Sequence, residues 1–459
     1  MVDVEFERRK QEILDECKIA PQVLDGLLPR LEKFMDPFVK SLVRSEQVTH
    51  AQTFVQGLLS DLKNKNVESI AYRFGQERMP LQWFVGVSNW DHEPLRDRLV
   101  LQVAENLGDD DGVLVFDPSG FSKSGRESVG VARQWCGRHG KVDNCQVAIY
   151  MGYVSRHEHA LVDVRLFLPK EWTSDKQRCK KAGVPKGTRY RTRHQLCLEM
   201  LKAHGDVLPH SWITGDDEMG RPYWFCRRLA RLDERYLLAV PSNTLIRDLE
   251  VAPPSYSGVG PHPKRPWRRV DKWTKGQRNN KWTKIDVPDG AKGPLVVEAI
   301  KTRVVARTDK RQEGHEETLV VIRFRDRENK TVQTDYYLSN AHAATKLWVF
   351  ARAAKAEHRI EECIQRSKSE AGLADYEVRN WKGWHHHQIL SLIATWFLVT
   401  EAQRGKTIDT GNHRSTNPRN HLFDPQPCIR MRYNLPNSSR TGTAADPKRA
   451  CSPVSLEAA

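Results

Sequence analysis

Three carboxylates in this sequence are placed where they could bind a divalent cation together. Asp117 follows the apolar run at residues 112–116, and Asp216 follows the short strand-like run W-I-T-G at residues 212–215. Such runs are typical of buried strands, and a carboxylate that follows a strand projects into the crevice beside the sheet. Glu361 lies in a later helical segment that could pack across this sheet. Three carboxylates meeting there would hold one or two Mg²⁺ or Mn²⁺ ions, an arrangement that promotes phosphoryl transfer.

Each of these residues also has a structural interpretation. An aspartate at a strand end often caps a turn or the next helix. Acidic neighbours adjoin both Asp216 and Glu361, so spacing alone leaves the identity of each ligand open. Lys368 follows Glu361 by seven residues, about two helical turns, on the same helix face. It could hold a phosphate beside a scissile bond, or it could be a solvated surface lysine.

The elements around these residues predict an α/β fold. Strands are predicted at residues 112–116, 146–153, 160–168, 212–215 and 236–240. Helices are predicted at residues 192–204 and 223–232. Three strands followed by helix, strand, helix and strand is the order of a ribonuclease-H-like fold, in which an antiparallel meander precedes right-handed crossovers.

Composition and periodicity divide the chain into five regions. A helical region at residues 1–105 would bind DNA ends or simply pack on the core. The predicted core begins with residues 106–241 and is interrupted by a basic, β-rich insertion at residues 242–340. Residues 341–403 return to helix and carry the third carboxylate. Residues 404–459 form a basic tail without periodicity, which we expect to be disordered.

The formal charge of +15 and the pI near 9.4 indicate a polyanionic partner, either nucleic acid or an anionic membrane surface. The longest apolar run, residues 389–399, is too short to span a bilayer, so double-stranded DNA is the expected partner and no membrane is expected. The N-terminus has no apolar signal region, and we expect a cytoplasmic, nucleoid-associated protein. The nine cysteines form no C-x-x-C pair, which favours free thiols over zinc or disulfides.

The predicted insertion contains a strongly basic segment, residues 262–284, with nine Lys or Arg and one Asp. Such side chains neutralise DNA phosphates, and the interleaved tryptophans would stack on unpaired bases or pack on the core. These tryptophans are Trp267, Trp273 and Trp282. The candidate DNA contacts of the segment are Lys264, Arg265, Arg268, Arg269 and Lys272. In the core, either DNA contact or exposure to solvent is expected for Lys123, Arg126 and Arg133.

Three blocks of this sequence resemble a known family. Residues 116–125 read F-D-P-S-G-F-S-K-S-G, and residues 128–135 and 140–148 read S-V-G-V-A-R-Q-W and G-K-V-D-N-C-Q-V-A. The second block, G-D-D-E-M-G, occupies residues 215–220. The third block has R-I-E-E at residues 359–362, followed by G-L-A-D-Y-E and W-K-G-W-H. Together they are similar to DDE transposases of bacterial insertion sequences, in the insertion sequence 701 family of the ribonuclease-H-like superfamily.

The resemblance implies a fold and a set of site residues. The fold would be a ribonuclease-H-like catalytic core with an inserted β-rich subdomain and an N-terminal helical domain. Asp117, Asp216 and Glu361 would be the catalytic, metal-binding triad, assisted by Lys368 and two Mg²⁺ or Mn²⁺ ions. The third block adds two candidate DNA contacts, Arg359 and Trp381, although Trp381 also suits helix packing. The histidines at residues 385–387 are expected to be structural, because adjacent helical residues point in different directions.

The sequence departs from the family at three places. Pro118-Ser119 replaces an Asp-Thr start, Met219 replaces a Tyr, and Glu357 stands where related transposases carry Arg. Since the triad is retained, we expect a transposase that binds element ends, cleaves the DNA and joins 3′-hydroxyl ends to target DNA within a synaptic homodimer. Two rivals stay open, a DNA-binding repressor that has lost catalysis and a metal-dependent nuclease that does not join.

Overall fold

A computed structural model of the chain describes residues 25–287, 295–325 and 331–412. Its helices are α1 (Leu27–Val39), α2 (Ser45–Leu58), α3 (Val67–Arg73), α4 (Arg78–Gly86), α5 (Glu93–Leu107), α6 (Lys170–Ser174), α7 (Lys176–Lys181), α8 (Arg193–His204), α9 (Asp217–Gly220), α10 (Tyr223–Arg231), α11 (Val270–Lys275), α12 (Leu347–Glu370) and α13 (Trp381–Asn412). Its strands are β1 (Val113–Ser122), β2 (Ala132–Cys136), β3 (Lys141–Val154), β4 (His159–Leu166), β5 (Trp212–Gly215), β6 (Tyr236–Ala239), β7 (Leu245–Asp248), β8 (Arg268–Arg269), β9 (Thr283–Val287), β10 (Leu295–Arg307), β11 (Glu313–Arg325) and β12 (Thr331–Ser339). In these ranges the cysteines are free thiols, and no helix is long and apolar enough to cross a membrane.

The N-terminal region is helical from Leu27 to Leu107, as predicted. Helices α1 to α5 bury apolar side chains that include Phe38, Phe54 and Phe84. Helix α13, although distant in sequence, packs against α2 and α4. The N-terminal helices and α13 therefore share one hydrophobic core. Residues 1–24, which the prediction also included, lie outside the described ranges.

One mixed sheet forms the centre of the structure. Its strand order is β2-β3-β1-β5-β6-β12-β11-β10-β7-β8, with β4 paired to β3 and β9 paired to β10. Strands β1 and β4 run antiparallel to β3, whereas β5 runs parallel to both β1 and β6. The predicted antiparallel meander of β1, β3 and β4 is confirmed, and the two strands predicted to follow crossovers, β5 and β6, lie parallel to β1 in that order. Helix α8 begins as predicted, because Thr192 and Gln195 form a capping box.

Residues 242–340 extend this sheet. Strand β12 pairs antiparallel with β6, and β11 and β10 follow in order. Two runs of the insertion with a strand pattern, residues 319–324 and 331–338, lie within β11 and β12. A second, smaller cluster of buried apolar side chains, which includes Val240, Val270 and Trp273, lies in this part of the chain. The β-rich character was predicted, whereas the direct pairing with the core sheet was not.

Strand β1 is longer than predicted. The strand was predicted to end at residue 116, but β1 continues through Pro118 to Ser122 in register with β3. Strand β5 ends at Gly215, so beyond Phe116 only β3 pairs with β1 in the described sheet. A proline is tolerated on such an edge, where its missing N–H need not remove a ladder hydrogen bond. Asp117 therefore lies within β1 rather than after it.

Helix α13 extends past residue 403, where the predicted helical region ends. It begins at Trp381, because Asn380 Oδ1 accepts a hydrogen bond at 2.6 Å from a backbone N–H of the first turn. It ends at Asn412, so the disorder expected from residue 404 onward is wrong for the first part of that tail. No proline interrupts this stretch, and the helical ladder can continue. Residues 413–459 lie outside the described ranges.

Candidate active site

Asp117 and Asp216 lie side by side on neighbouring strands. Strands β1 and β5 run parallel with Phe116 opposite Gly215, and each aspartate immediately follows its member of this pair. Neighbouring strands lie about 4.8 Å apart, so the register brings both carboxylates to one place in the sheet. Asp216 also caps α9, where its Oδ1 accepts two backbone N–H groups, each at 3.1 Å. The capping role that the sequence left open is thus present, and it orients the carboxylate.

The two aspartates lie in a region of excess negative charge. Burial raises the pKa of Asp117 to about 8, and the charges of Asp216 and Glu361 add to this rise, whereas Lys368 opposes it. Burial and then the charge of Glu218 raise the pKa of Asp216 to about 7, although its two backbone hydrogen bonds act in the opposite direction. A cation bound between these carboxylates would relieve the imbalance.

Helix α12, which carries Glu361 and Lys368, packs across β1, β3, β4 and β5. The approach is close at Gly152 in β3, where an added Cβ would lie 2.3 Å from the side chain of Ile360. Any larger residue would push the helix away from the sheet. The glycine therefore helps to set the height of α12 above the two aspartates.

The two α12 residues of the predicted site differ in orientation. Lys368 Nζ donates a hydrogen bond to Ser119 Oγ at 2.7 Å, and its charge lowers the pKa of Asp117. Glu361 raises that pKa, but its side chain is 73% exposed, and its Oε2 lies 4.0 Å from Nδ1 of His358. The structure thus brings the four predicted residues to one region, with Glu361 on the solvent side.

Glu357 is a further carboxylate that the sequence prediction did not assign to the site. It precedes Glu361 by four residues, about one helical turn. Its Oε2 atom is buried and has no hydrogen-bond partner among the described residues. Burial raises the pKa of Glu357 well above its usual range, and the charges of Asp216 and Asp117 add to the rise. The only signal in the sequence was the replacement of the family's Arg by Glu.

The donor set of this site suits a divalent cation that prefers oxygen ligands. Within the described ranges, no three His, Cys, Asp or Glu side chains are already gathered tightly enough to form a metal site. The outward orientation of Glu361 is consistent with this. The carboxylates of Asp117, Asp216 and Glu357, whose charges raise one another's pKa values, are nevertheless the kind of ligand that Mg²⁺ or Mn²⁺ prefers, whereas zinc favours His and Cys.

Residues 37–294, more than half of the chain, match a family model described as DDE superfamily endonuclease. The chain belongs to this family. A relative from Microchaete diplosiphon, described as a probable transposase for insertion sequence element IS701, is 27% identical over 229 residues. The match covers 47% of this chain and 56% of the relative, so the chain spans little more than half of that protein's length. The predicted relationship to DDE transposases of this insertion-sequence family is confirmed.

A solved structure gives a weaker likeness. The cryo-EM structure of a piggyBac transposase synaptic complex with hairpin DNA is 10% identical to this DDE family member, with a TM-score of 0.39. The alignment covers 84% of this chain and 74% of that chain. Such a score indicates only a loose likeness in the path of the backbone.

The candidate DNA contacts of the core differ in exposure. Arg126 and Arg133 are exposed. Lys123 turns inward, where its Nζ donates to the carbonyl of Tyr376 at 3.2 Å and lies 3.6 Å from the centre of that ring. Burial lowers the pKa of Lys123 to about 8. Arg359 is partly buried, with its guanidinium 3.5 Å from a backbone carbonyl. Arg126 and Arg133 are therefore better placed than the other two to meet DNA.

The tryptophans of the basic segment pack within the protein. Trp273 is buried, and its Nε1 donates to Asp248 at 2.7 Å. The guanidinium of Arg323 lies 3.8 Å from the ring centre of Trp282, and another guanidinium lies 4.3 Å from that of Trp267. These contacts support packing rather than base stacking, the two roles that the sequence left open.

The cationic side chains of the same segment lie mostly at the surface. The exposed candidates are Lys264, Arg268, Arg269 and Lys272. Arg269 forms an ion pair with Asp271 at 2.8 Å. Arg265 is partly buried and donates to the carbonyl of Val251 at 2.6 Å. A surface of this kind is suited to contact a phosphate backbone.

Trp381 and the histidines after it join α13 to the N-terminal helices. Trp381 is partly buried, with its ring centre 4.3 Å from that of His385. His386 is fully buried, and its two ring nitrogens lie 3.0 Å and 2.9 Å from the carbonyl oxygens of Val85 and Trp90. These contacts agree with the structural role predicted for the histidines.

Proposed function

We propose that this protein is a transposase that binds insertion-sequence ends, cleaves the DNA there and joins the 3′-hydroxyl ends to target DNA. The observation that carries the proposal is the pairing of Phe116 with Gly215, which sets Asp117 and Asp216 side by side beneath α12. Membership of the DDE superfamily endonucleases supports DNA cleavage. The likeness to a probable transposase supports the joining reaction.

The core of this enzyme would be ribonuclease-H-like. The strand order β4-β3-β1-β5-β6, with its antiparallel and parallel pairs, supports this assignment. Residues 106–241 and 341–403 would form the core, and residues 242–340 would be an insertion that prolongs its sheet. The helical region at residues 1–105 would bind the element ends.

The site residues have distinct roles in this proposal. Asp117, Asp216 and Glu361 would hold one or two Mg²⁺ or Mn²⁺ ions, which when bound promote attack on a phosphodiester and stabilise the leaving oxygen. Asp216 is oriented by its capping hydrogen bonds, and Lys368 by its bond to Ser119, before DNA arrives. Lys368 Nζ would then donate to a non-bridging phosphate oxygen.

One site would serve two successive reactions. In the first, water attacks the phosphodiester at the element end, and the 3′-hydroxyl leaves. In the second, that hydroxyl attacks a target phosphodiester in line, and the target's own 3′ oxygen leaves. No covalent bond between protein and DNA forms, so no Ser or Tyr nucleophile is assigned.

The proposed partner is double-stranded DNA, both at the element ends and at the target. The net charge of +15 and the exposed Arg268 and Lys272 support contacts to the phosphate backbone. Joining two ends in one event requires two sites, so we include a homodimer in the proposal. DNA binding of this kind would place the protein on the nucleoid.

A cleavage and joining assay tests this proposal. Purified protein is incubated with Mg²⁺ or Mn²⁺ and labelled DNA that carries the sequences flanking its gene. We expect wild type to nick and join, and Asp117→Ala, Asp216→Ala and Glu361→Ala to bind the DNA without doing either. Binding without cutting by wild type would favour a repressor, and cutting without joining would favour a nuclease.

A further inference from the structure

Glu357 lies inside the proposed site without a partner that explains its burial. Its Oε2 atom is buried and accepts no hydrogen bond from the described residues. A buried carboxylate that is neither paired nor hydrogen-bonded is strongly unfavourable when ionised. A residue of this kind either stays protonated for structural reasons or is compensated by a positive ligand.

The groups whose charges add to the raised pKa of Glu357 are acidic and come from several elements. They are Asp216 after β5, Asp117 in β1, Asp335 in β12 and Glu361 in α12. The charge of Glu357 in turn contributes to the raised pKa of the Tyr337 phenol in β12. The charges of both aspartates of the proposed site therefore act on Glu357.

Helix geometry relates Glu357 to Glu361. Residues four apart lie on the same helix face, about 6 Å from each other. Glu357 has a buried oxygen, whereas the side chain of Glu361 is 73% exposed. The two glutamates thus extend from the aspartates outward to solvent, in the arrangement of an inner and an outer ligand.

We propose that Glu357 is a ligand of the same divalent cation site, binding from the buried side while Glu361 binds from the solvent side. This inference rests on the proposed function, because it adds a residue to that site. It also gives a physical reason for the departure from the family's Arg, since a carboxylate at this position increases the negative charge available to a cation. A protonated, purely structural Glu357 is the competing explanation.

The test compares Glu357→Gln with Glu362→Gln, an exposed neighbour on the same helix. Mn²⁺ binding to the full chain is measured by isothermal titration calorimetry, and melting temperatures are measured with and without Mn²⁺. We expect Glu357→Gln to bind Mn²⁺ about tenfold more weakly or worse, and to melt at a higher temperature than wild type when no cation is present. Glu362→Gln should match wild type in both measurements.

The outcomes separate this inference from the proposed function. Wild-type affinity and a wild-type Mn²⁺-induced shift in Glu357→Gln would overturn the inference alone, provided that wild type binds Mn²⁺ and cuts DNA. A wild type that neither binds Mn²⁺ nor cuts would overturn the proposed function itself. If Glu357→Gln does not fold, Glu357→Met removes the carboxylate and places an apolar side chain of similar length at the buried position, and unchanged Mn²⁺ affinity in that variant would equally refute the inference.

Discussion

Mild acid should weaken the contact between the N-terminal helices and α13, and His386 allows the effect to be calculated. This histidine is fully buried between the carbonyl oxygens of Val85 and Trp90, and its ring stacks on that of Trp90 with centres 3.6 Å apart. Burial lowers the pKa of His386 from 6.5 to about 4, despite the two carbonyl contacts, which favour the charged form. The imidazole is therefore neutral in the folded protein at pH 5, whereas it is mostly charged in the unfolded chain.

The sign and size of the effect follow from this difference. Because the folded pKa is the lower one, the unfolded chain binds the proton preferentially, and the free energy of unfolding falls as the pH drops from about 6.5 to about 4. Each pKa unit corresponds to about 1.4 kcal/mol. Between pH 7 and pH 5, His386 alone should remove about 2 kcal/mol, a large share of the roughly 5–15 kcal/mol that stabilises a typical domain.

Urea unfolding at pH 7 and pH 5 measures this contribution. The quantity of interest is the loss of unfolding free energy between the two pH values, so that groups common to all variants cancel. His386→Gln should lose about 2 kcal/mol less than wild type, whereas His262→Gln, at an exposed histidine, should lose as much as wild type. Equal losses in wild type and His386→Gln would refute the described burial of His386 and its calculated role.

Three further predictions concern the site and its surroundings. Lys368→Met removes the hydrogen-bond donor beside Ser119 and should slow single-turnover cleavage about 100-fold or more while leaving DNA binding intact. An unchanged cleavage rate would show that Lys368 has no role in the reaction. The double substitution Arg268→Ala and Lys272→Ala should weaken DNA binding and reduce the slope of the logarithm of the binding constant against the logarithm of the salt concentration by about 2. An unaltered slope would exclude this surface as a DNA contact. Gly152→Val should clash with Ile360, which would lower the free energy of unfolding by about 1–3 kcal/mol and slow cleavage. Adding Ile360→Ala should partly restore both the stability and the cleavage rate. A Gly152→Val variant with wild-type stability and cleavage would contradict the close packing of α12.

The elements that place the aspartates could be read from the sequence because burial leaves a strong pattern there. The run at residues 212–215 has the pattern of a short strand, and β5 occupies the same residues, all of them buried. The helix start at Arg193 follows from a local capping box. Such signals depend on neighbouring residues only, so one sequence is enough to reveal them.

The missed features depend on contacts between distant parts of the chain. The passage of β1 through Pro118 is allowed because β5 ends at Gly215, about a hundred residues later in the sequence. The packing of Trp273 depends on Asp248 across the insertion. Glu357 looked like a departure from a motif, and only the fold shows that it faces Asp216. Pairing of this kind has no counterpart in local sequence patterns.

The central claim, that Asp117 and Asp216 together direct cutting and joining, is tested most directly by strand joining with Asp216→Asn and Asp217→Asn in parallel. The two positions are adjacent, but Asp217 lies in α9 and pairs with Arg221 at 2.6 Å, with its side chain nearly half exposed. Both substitutions remove one negative charge and preserve the side-chain shape. We expect joined product from wild type and Asp217→Asn and none from Asp216→Asn, although all three bind the element ends. Joining by Asp216→Asn at the wild-type rate would contradict the central claim.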